Sequence, residues 1–216
     1  MAVTTSVRTG REAADGAARA ADGAARRRLI ADAAIATLAS AGQRGLTHRA
    51  VDQAAGLPEG SCSYYFRTRQ ALLQATVERL VEADTADLVA HAEIFGDSAD
   101  PAKVAEAAVE VIRYWTSVMR ERTLARFELM LEAGRRPELQ TVLDAARVHY
   151  RALARRTLAG IGASDPDGQV QMFVACLDGL VFRHLTGADP LTAEPAEQRR
   201  VLLDVLNGFV HGRDGS

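Results

Sequence analysis

An all-α fold is what this 216-residue sequence predicts, and three observations carry that reading. Apolar residues recur at three- and four-residue steps from Arg26 almost to the end of the chain. No stretch of four or more residues has the alternating, β-branched pattern of a strand with turn signals on both sides. Gly42, Gly96, Gly134 and Gly160 follow periodic segments, and Pro101, Pro137 and Pro195 precede them. Those are the places where Gly stops and Pro starts a helix.

The elements follow in order. Residues 1–25 are Ala, Gly, Thr and Arg with hardly a bulky apolar side chain, and the pentapeptide DGAAR occurs twice. Such a stretch buries too little surface to offset its ordering entropy and reads as a disordered arm. Its Arg8, Arg11 and Arg19 are offset by Glu12, Asp15 and Asp22, so the arm reads as inert. The first helix, about 26–41, puts Ile30, Ala34 and Leu38 on one stripe. Short helices over about 47–55 and 58–65 come next, then a long one over about 69–95. Further helices are expected at about 101–119, 121–134 and 137–160. An eighth, about 168–187, carries Val170, Phe173, Val174, Leu177, Leu180, Val181 and Leu185. A ninth begins at Pro195 and aligns Leu202, Val205, Leu206 and Phe209.

Composition narrows the function. No apolar run approaches the roughly 18 residues of a membrane span, and the N-terminus lacks the apolar core of a secretory signal. Two cysteines, Cys62 and Cys176, make no disulfide framework, so a cytoplasmic protein without membrane contact is expected. Residues 1–70 hold ten Arg against six acids, a net of +4, whereas residues 71–216 carry a net of −6. A basic N-terminal third suggests a polyanion partner for that part alone. His48, His91, His149, His184 and His211 show no metal-ligand spacing. No G-x-S-x-G, Walker loop or dinucleotide fingerprint occurs. The expectation is therefore no enzyme, no catalytic residue, no cofactor and no metal. Paired acids such as Glu82 and Asp84 read as a solvated helix face.

The informative stretch runs from Gly45 to Phe66. Thr47 is a good N-cap, and Leu46 with Val51 can form a hydrophobic staple. Ala54-Ala55-Gly56 breaks that helix and Pro58 starts the next, with Glu59 against its positive end. Two short helices around a Gly turn make a helix-turn-helix. The second offers the hydroxyls of Ser61, Ser63, Tyr64 and Tyr65, with Gly60 permitting close approach to a phosphate. Thr68 caps the long helix, and Arg69 at its start is a ready phosphate contact. The expected DNA-binding set is Arg28, Thr47, His48, Arg49, Gly60, Ser61, Ser63, Tyr64, Tyr65 and Arg69. Phe66 reads as core, and Cys62 as a small buried packing residue rather than an oxidant sensor.

From Arg28 to Leu73 the chain resembles the DNA-binding domain of the tetracycline-repressor (TetR) family of bacterial regulators. The likeness lies in Ala33-Ala34, Leu38, Gly42, Gly45, Thr47, Arg49, Val51, Ala54-Ala55-Gly56, Gly60, Tyr65-Phe66 and Arg69-Gln70-Ala71-Leu72-Leu73. Beyond it, Arg126-Phe127-Glu128-Leu129 and Asp178-Gly179-Leu180 are local phrases of the same kind. The sequence departs from the family at Glu59, where Lys is usual, and at Cys62 and Ser63, in place of Leu and Tyr. The resemblance implies three DNA-binding helices, a terminal helix pair that dimerises, and an effector pocket between.

On this reading residues 26–70 form the DNA-binding domain and 71–216 a helical effector-binding and dimerisation domain. The candidate pocket residues are Phe95, Tyr114, Trp115, Met119, Phe127, Met130, His149, Tyr150, Met172 and Phe173, since pockets between bundle helices are commonly lined by aromatics. The candidate dimer face is Leu177, Leu180, Val181, His184, Leu202, Leu206 and Phe209. A homodimeric repressor released from double-stranded operator DNA by a small molecule is the function expected. In that scheme the ligand acts through the fourth helix on the spacing of the two reading helices. The alternatives are a ligand-independent regulator, an activator, or an all-α enzyme or interaction module without DNA binding.

Overall fold

The computed structural model describes residues 3–90, 98–187 and 194–211 and, within them, every side chain except those of residues 3–17, 19, 89, 90, 145 and 146. Among the described residues there are nine helices and no strand. They are α1 (Val3–Gly45), α2 (His48–Ala54), α3 (Ser61–Tyr65), α4 (Arg69–Ala90), α5 (Pro101–Thr116), α6 (Arg120–Ala133), α7 (Pro137–Gly160), α8 (Pro166–Thr186) and α9 (Pro195–His211). By packing the chain divides into residues 1–79 and 80–216, and α4 runs through that boundary.

The expected disordered arm is helix from Val3 onward, which corrects the reading of residues 1–25. Ala and Arg are among the strongest helix formers, and a helix extended from a packed segment avoids the nucleation cost. None of the described side chains between Ala18 and Leu29 is buried. Near its other end α1 breaks at Gly42, whose φ of 61° and ψ of −168° are not helical.

In the first unit α1 packs on α2 and α2 on α3. Ile30, Ala34 and Leu38 of α1 are buried, as are Leu72, Leu73 and Val77 of α4. Leu46 and Val51 have no exposed surface, as a hydrophobic staple requires. Arg79 Nε donates to Asp32 at 2.7 Å, an α1–α4 tie within this unit.

In the second unit α5 packs against α9 and α8, α7 against α8, and α6 against α7. Asp100 caps α5 by accepting from Ala102 N at 2.9 Å, with Pro101 in the first turn. Asp165 caps α8 through Gly168 N at 3.0 Å, which starts that helix at Pro166. The Thr123 hydroxyl donates to Trp115 O at 2.8 Å and stitches the α5–α6 turn.

The side chains read from the sequence as a dimer face lie largely inside this unit. Leu177, Leu180, Val181, Leu202, Leu206 and Phe209 are buried within the unit's own core, alongside Val104, Ala108, Ile112 and Leu158. The apolar stripes of α8 and α9 are consumed by packing within the protomer. His184 is half-buried beside them. The exposed large apolar side chains of α7 and α8 are instead Val148, Met172 and Phe182.

Ile112 is fully buried among these residues, so Ile112→Ala leaves a cavity that costs about 2–5 kcal/mol. Denaturant unfolding followed by Trp115 fluorescence measures it, and a loss under about 0.5 kcal/mol would contradict the packing.

Candidate nucleic-acid interface and ligand cavity

The short α2–α3 module is held by one buried carboxylate. Asp52, on α2 and 3% exposed, accepts from Gly60 N at 2.8 Å and from Cys62 N at 2.7 Å. These are orphan donors at the start of α3, so a side chain from the preceding helix does the work of a cap. Gly60 has a φ of 94°, a left-handed conformation that other residues adopt only under strain, and no side chain of its own bonds the helix start. The third helix therefore begins at Ser61, later than Pro58 as the sequence suggested, and the Ser61 hydroxyl donates to Pro58 O at 2.7 Å. Thr47 caps α2 as expected, accepting from Ala50 N at 3.2 Å.

The expected reading residues occupy three kinds of environment. Arg28, Thr47, Arg49, Gly60 and Ser63 are exposed, and Tyr64 is 78% exposed with its ring edge-on to Tyr65. His48, Ser61 and Tyr65 are half-buried. His48 Nε2 lies 2.7 Å from Phe66 O, an arrangement that puts the proton on Nε2. Arg69 is exposed and at the same time tied to its own unit: its guanidinium donates to Leu46 O and to Gln43 O. Those carbonyls follow the break in α1, so Arg69 closes the end of that helix onto the start of α4. Arg67, which the sequence did not single out, is exposed next to it. Arg27 stacks at 5.6 Å over Tyr65 and 5.4 Å over Phe66 and donates to Tyr65 O at 3.3 Å. Phe66 is core, 6% exposed, and Cys62 is fully buried. Burial first and Asp52 second push the Cys62 thiol up to about 11.

The second unit encloses a cavity of about 340 Å³, within the range of small-molecule sites. Its apolar wall includes Leu80, Leu88, Trp115, Met130 and Phe173, and its polar groups include Asp84, Arg126, Tyr150 and Asp178. Arg126 stacks 4.9 Å over Trp115, and the Tyr150 hydroxyl lies near enough to both Arg126 and Asp84 to feel their charges. Arg122 Nε holds Asp84 at 2.9 Å. Burial pushes the Asp84 and Asp178 carboxyls above the ordinary carboxylate range, against the pull of Arg126 on both. Tyr150 is likewise pushed up, chiefly by burial and then by Asp84. A second cavity of about 320 Å³ shares Asp84, Leu88, Trp115 and Tyr150 and adds Tyr114.

Of the pocket residues expected from the sequence, Trp115, Met130, Tyr150 and Phe173 line the first cavity, and Tyr114 lines the second. Met119 precedes α6 and borders neither cavity, and Phe127 packs edge-on against Phe182 at 5.3 Å. His149 and Met172 are exposed. Phe95 lies outside the described residues. The polar wall was missed. Asp84, read as a solvated acid, has a side chain only 11% exposed. Helical spacing tells which residues share a face, but not whether that face meets water or a cavity.

Residues 99–212 match the family model described as "Tetracyclin repressor-like, C-terminal domain". The chain belongs to the tetracycline-repressor family. The solved structure of the multidrug binding protein EbrR complexed with imidazole is 30% identical, covers 83% of this chain and 94% of its own, and superposes with a TM-score of 0.63. The transcriptional regulator BetI of Brucella suis is 28% identical over 181 residues, 79% of this chain and 85% of its own. A transcriptional regulator from Rhodococcus sp. Rha1, 20% identical, shares the fold at a TM-score of 0.70 over 88% of this chain and 98% of its own. This TetR-family chain is thus a transcriptional regulator with a helix-turn-helix ahead of a helical ligand-binding domain.

Asp52→Ala removes the acceptor of the Gly60 and Cys62 N–H groups and leaves the Cys62 amide buried and unsatisfied, at about 1–3 kcal/mol. Hydrogen exchange at those amides then accelerates, while the environment of Trp115, in the other unit, is unchanged. Unaltered protection at both amides would show that the cap is dispensable. The Cys62 thiol, fully buried and raised to about 11, reacts with a thiol reagent at pH 8 far more slowly in the native protein than in the unfolded chain.

Proposed function

We propose that this protein is a homodimeric repressor, working in the cytoplasm, that leaves its operator when a small molecule enters the cavity of the second unit. The observation that carries the DNA-reading half is the Asp52-capped α3, which leaves Ser63 and Tyr64 exposed on a short, fixed helix. Only the first residues of such a helix need reach base edges in the major groove. Arg49, Arg67 and Arg28 supply exposed cations on the same unit for phosphates.

The effector half is supported by the cavity itself and by the relative EbrR, whose structures hold ethidium, proflavin or malachite green. α4 lends Leu80, Asp84 and Leu88 to the cavity wall and carries Leu72, Leu73 and Val77 in the core of the first unit. One helix with a stake in each unit is a physical route for coupling. A ligand shifts the equilibrium only by its difference in affinity for the two states, and a hundredfold ratio supplies about 2.7 kcal/mol. Two copies are needed because one short helix covers too little DNA for tight binding, and a two-fold pair reads half-sites about 34–36 Å apart. The exposed Met172, Phe182 and Val148 support a dimer contact through α7 and α8.

Selection of bound fragments from genomic DNA, followed by gel shifts at several salt concentrations, tests this reading. Arg49→Ala weakens binding to all fragments alike and lowers the salt slope by about 1. Ser63→Ala and Tyr64→Ala change which fragments are preferred. Variants as tight and as selective as the parent would remove α3 from the reading face.

A further inference from the structure

The polar groups of the first cavity are unequally satisfied, and that inequality has chemical content. Asp84 is held by Arg122. By contrast, Nε and Nη2 of Arg126 are buried and have no acceptor among the described residues. Elsewhere in the chain that same Nε/Nη2 edge grips carboxylates with both nitrogens. Arg200 reaches Glu197 at 3.0 and 2.6 Å, and Arg79 reaches Asp32 at 2.7 and 3.4 Å. The edge matches a planar oxyanion in geometry, and a charged donor left unpaired in a buried site is costly. Asp178, on the same cavity wall, lies within the field of Arg126 first and Arg147 second, and makes no hydrogen bond or ion pair among the described residues. The two opposite charges therefore line one cavity without pairing with each other.

The Trp115 face adds a second constraint. Arg126 already lies over it at 4.9 Å, so a cationic ligand meets an aromatic surface whose cation site is filled from within. What faces a ligand is the unpaired Arg126 edge at one place, the Asp178 carboxylate at another, the exposed Arg147 and Arg151 on the rim, and apolar wall from Leu80, Met130, Phe173 and Leu177 around them.

We propose that the effector is amphoteric: an oxyanion, such as a carboxylate, seats on the Nε/Nη2 edge of Arg126. A protonated amine or equivalent donor of the same molecule reaches Asp178, and an apolar body spans the two. This rests on the reading of the cavity as the effector site and names the chemistry of what fills it. A purely cationic ligand leaves the Arg126 edge empty, and a purely anionic one meets Asp178 unpaired.

The test uses the full chain and three matched probe series of five to twelve carbons: straight ω-aminocarboxylates, fatty acids and alkylamines. Binding is followed by Trp115 fluorescence and by calorimetry. The best ω-aminocarboxylate should bind about tenfold or more tighter than the acid or amine of equal length, the gain expected of one charged hydrogen-bonded group. Arg126→Gln should abolish the advantage over the amine, and Asp178→Asn the advantage over the acid. Arg126→Lys, which keeps the charge and loses the fork, should forfeit most of the same gain and guards against misfolding of the Gln variant. Alkylamines binding as tightly as their ω-amino acids would overturn the proposal, as would no binding by any series. A gel shift without probe, on the same preparation, reads the regulator assignment separately. Retained DNA with failed probes sinks only the ligand chemistry.

Discussion

The DNA-facing part of this protein depends on one buried carboxylate that reaches across a turn. Asp52 belongs to α2, yet its two oxygens satisfy the amides of Gly60 and Cys62 at the start of α3. A helix of five residues cannot hold itself together, because nucleation fixes more dihedrals than its few hydrogen bonds repay. Its order must come from outside. Asp52 supplies the polar share, and Cys62 and Phe66, buried beneath the helix, supply the apolar share. Arg27 then lies across the aromatic end, over Tyr65 and Phe66. Every exposed side chain of α3 inherits its position from these few contacts.

The second unit solves a different problem. Its core is an ordinary close-packed one around α5, with Ile112, Leu158, Val181, Leu202 and Leu206 buried. The cavity beside it is lined by charged groups that include the partly buried Asp84, Arg126 and Asp178. Retaining such groups costs stability, and the Arg122–Asp84 ion pair recovers part of that cost. Burial of Asp84, Asp178 and Tyr150 raises all three, as expected where desolvation outweighs the nearby charges.

Much of this was legible beforehand. Thr47, Leu46, Gly56 and Pro58 are local signals, each acting on its immediate neighbours, and they marked the helix-turn-helix without any tertiary information. The Pro and Gly punctuation likewise located α5, α7 and α9. What stayed hidden was action across space. Asp52 caps a helix eight and ten positions away, and nothing in its local pattern distinguishes it from a solvated acid. Arg69 sits exposed where a phosphate contact is expected, and it also donates to carbonyls of residues 43 and 46. The apolar stripes of α8 and α9 look the same whether they pack inside a protomer or between two.

The separation between what holds α3 and what α3 displays bears on how such proteins diverge. Its scaffolding is Asp52, Gly60, Cys62 and Phe66, while Ser63 and Tyr64 point away from all of it. On the proposed reading, duplicated genes can drift at the two outward positions and acquire new operators without disturbing the fold. The inward positions tolerate no such wandering, so regulatory novelty has a narrow and well-insulated channel through which to arise.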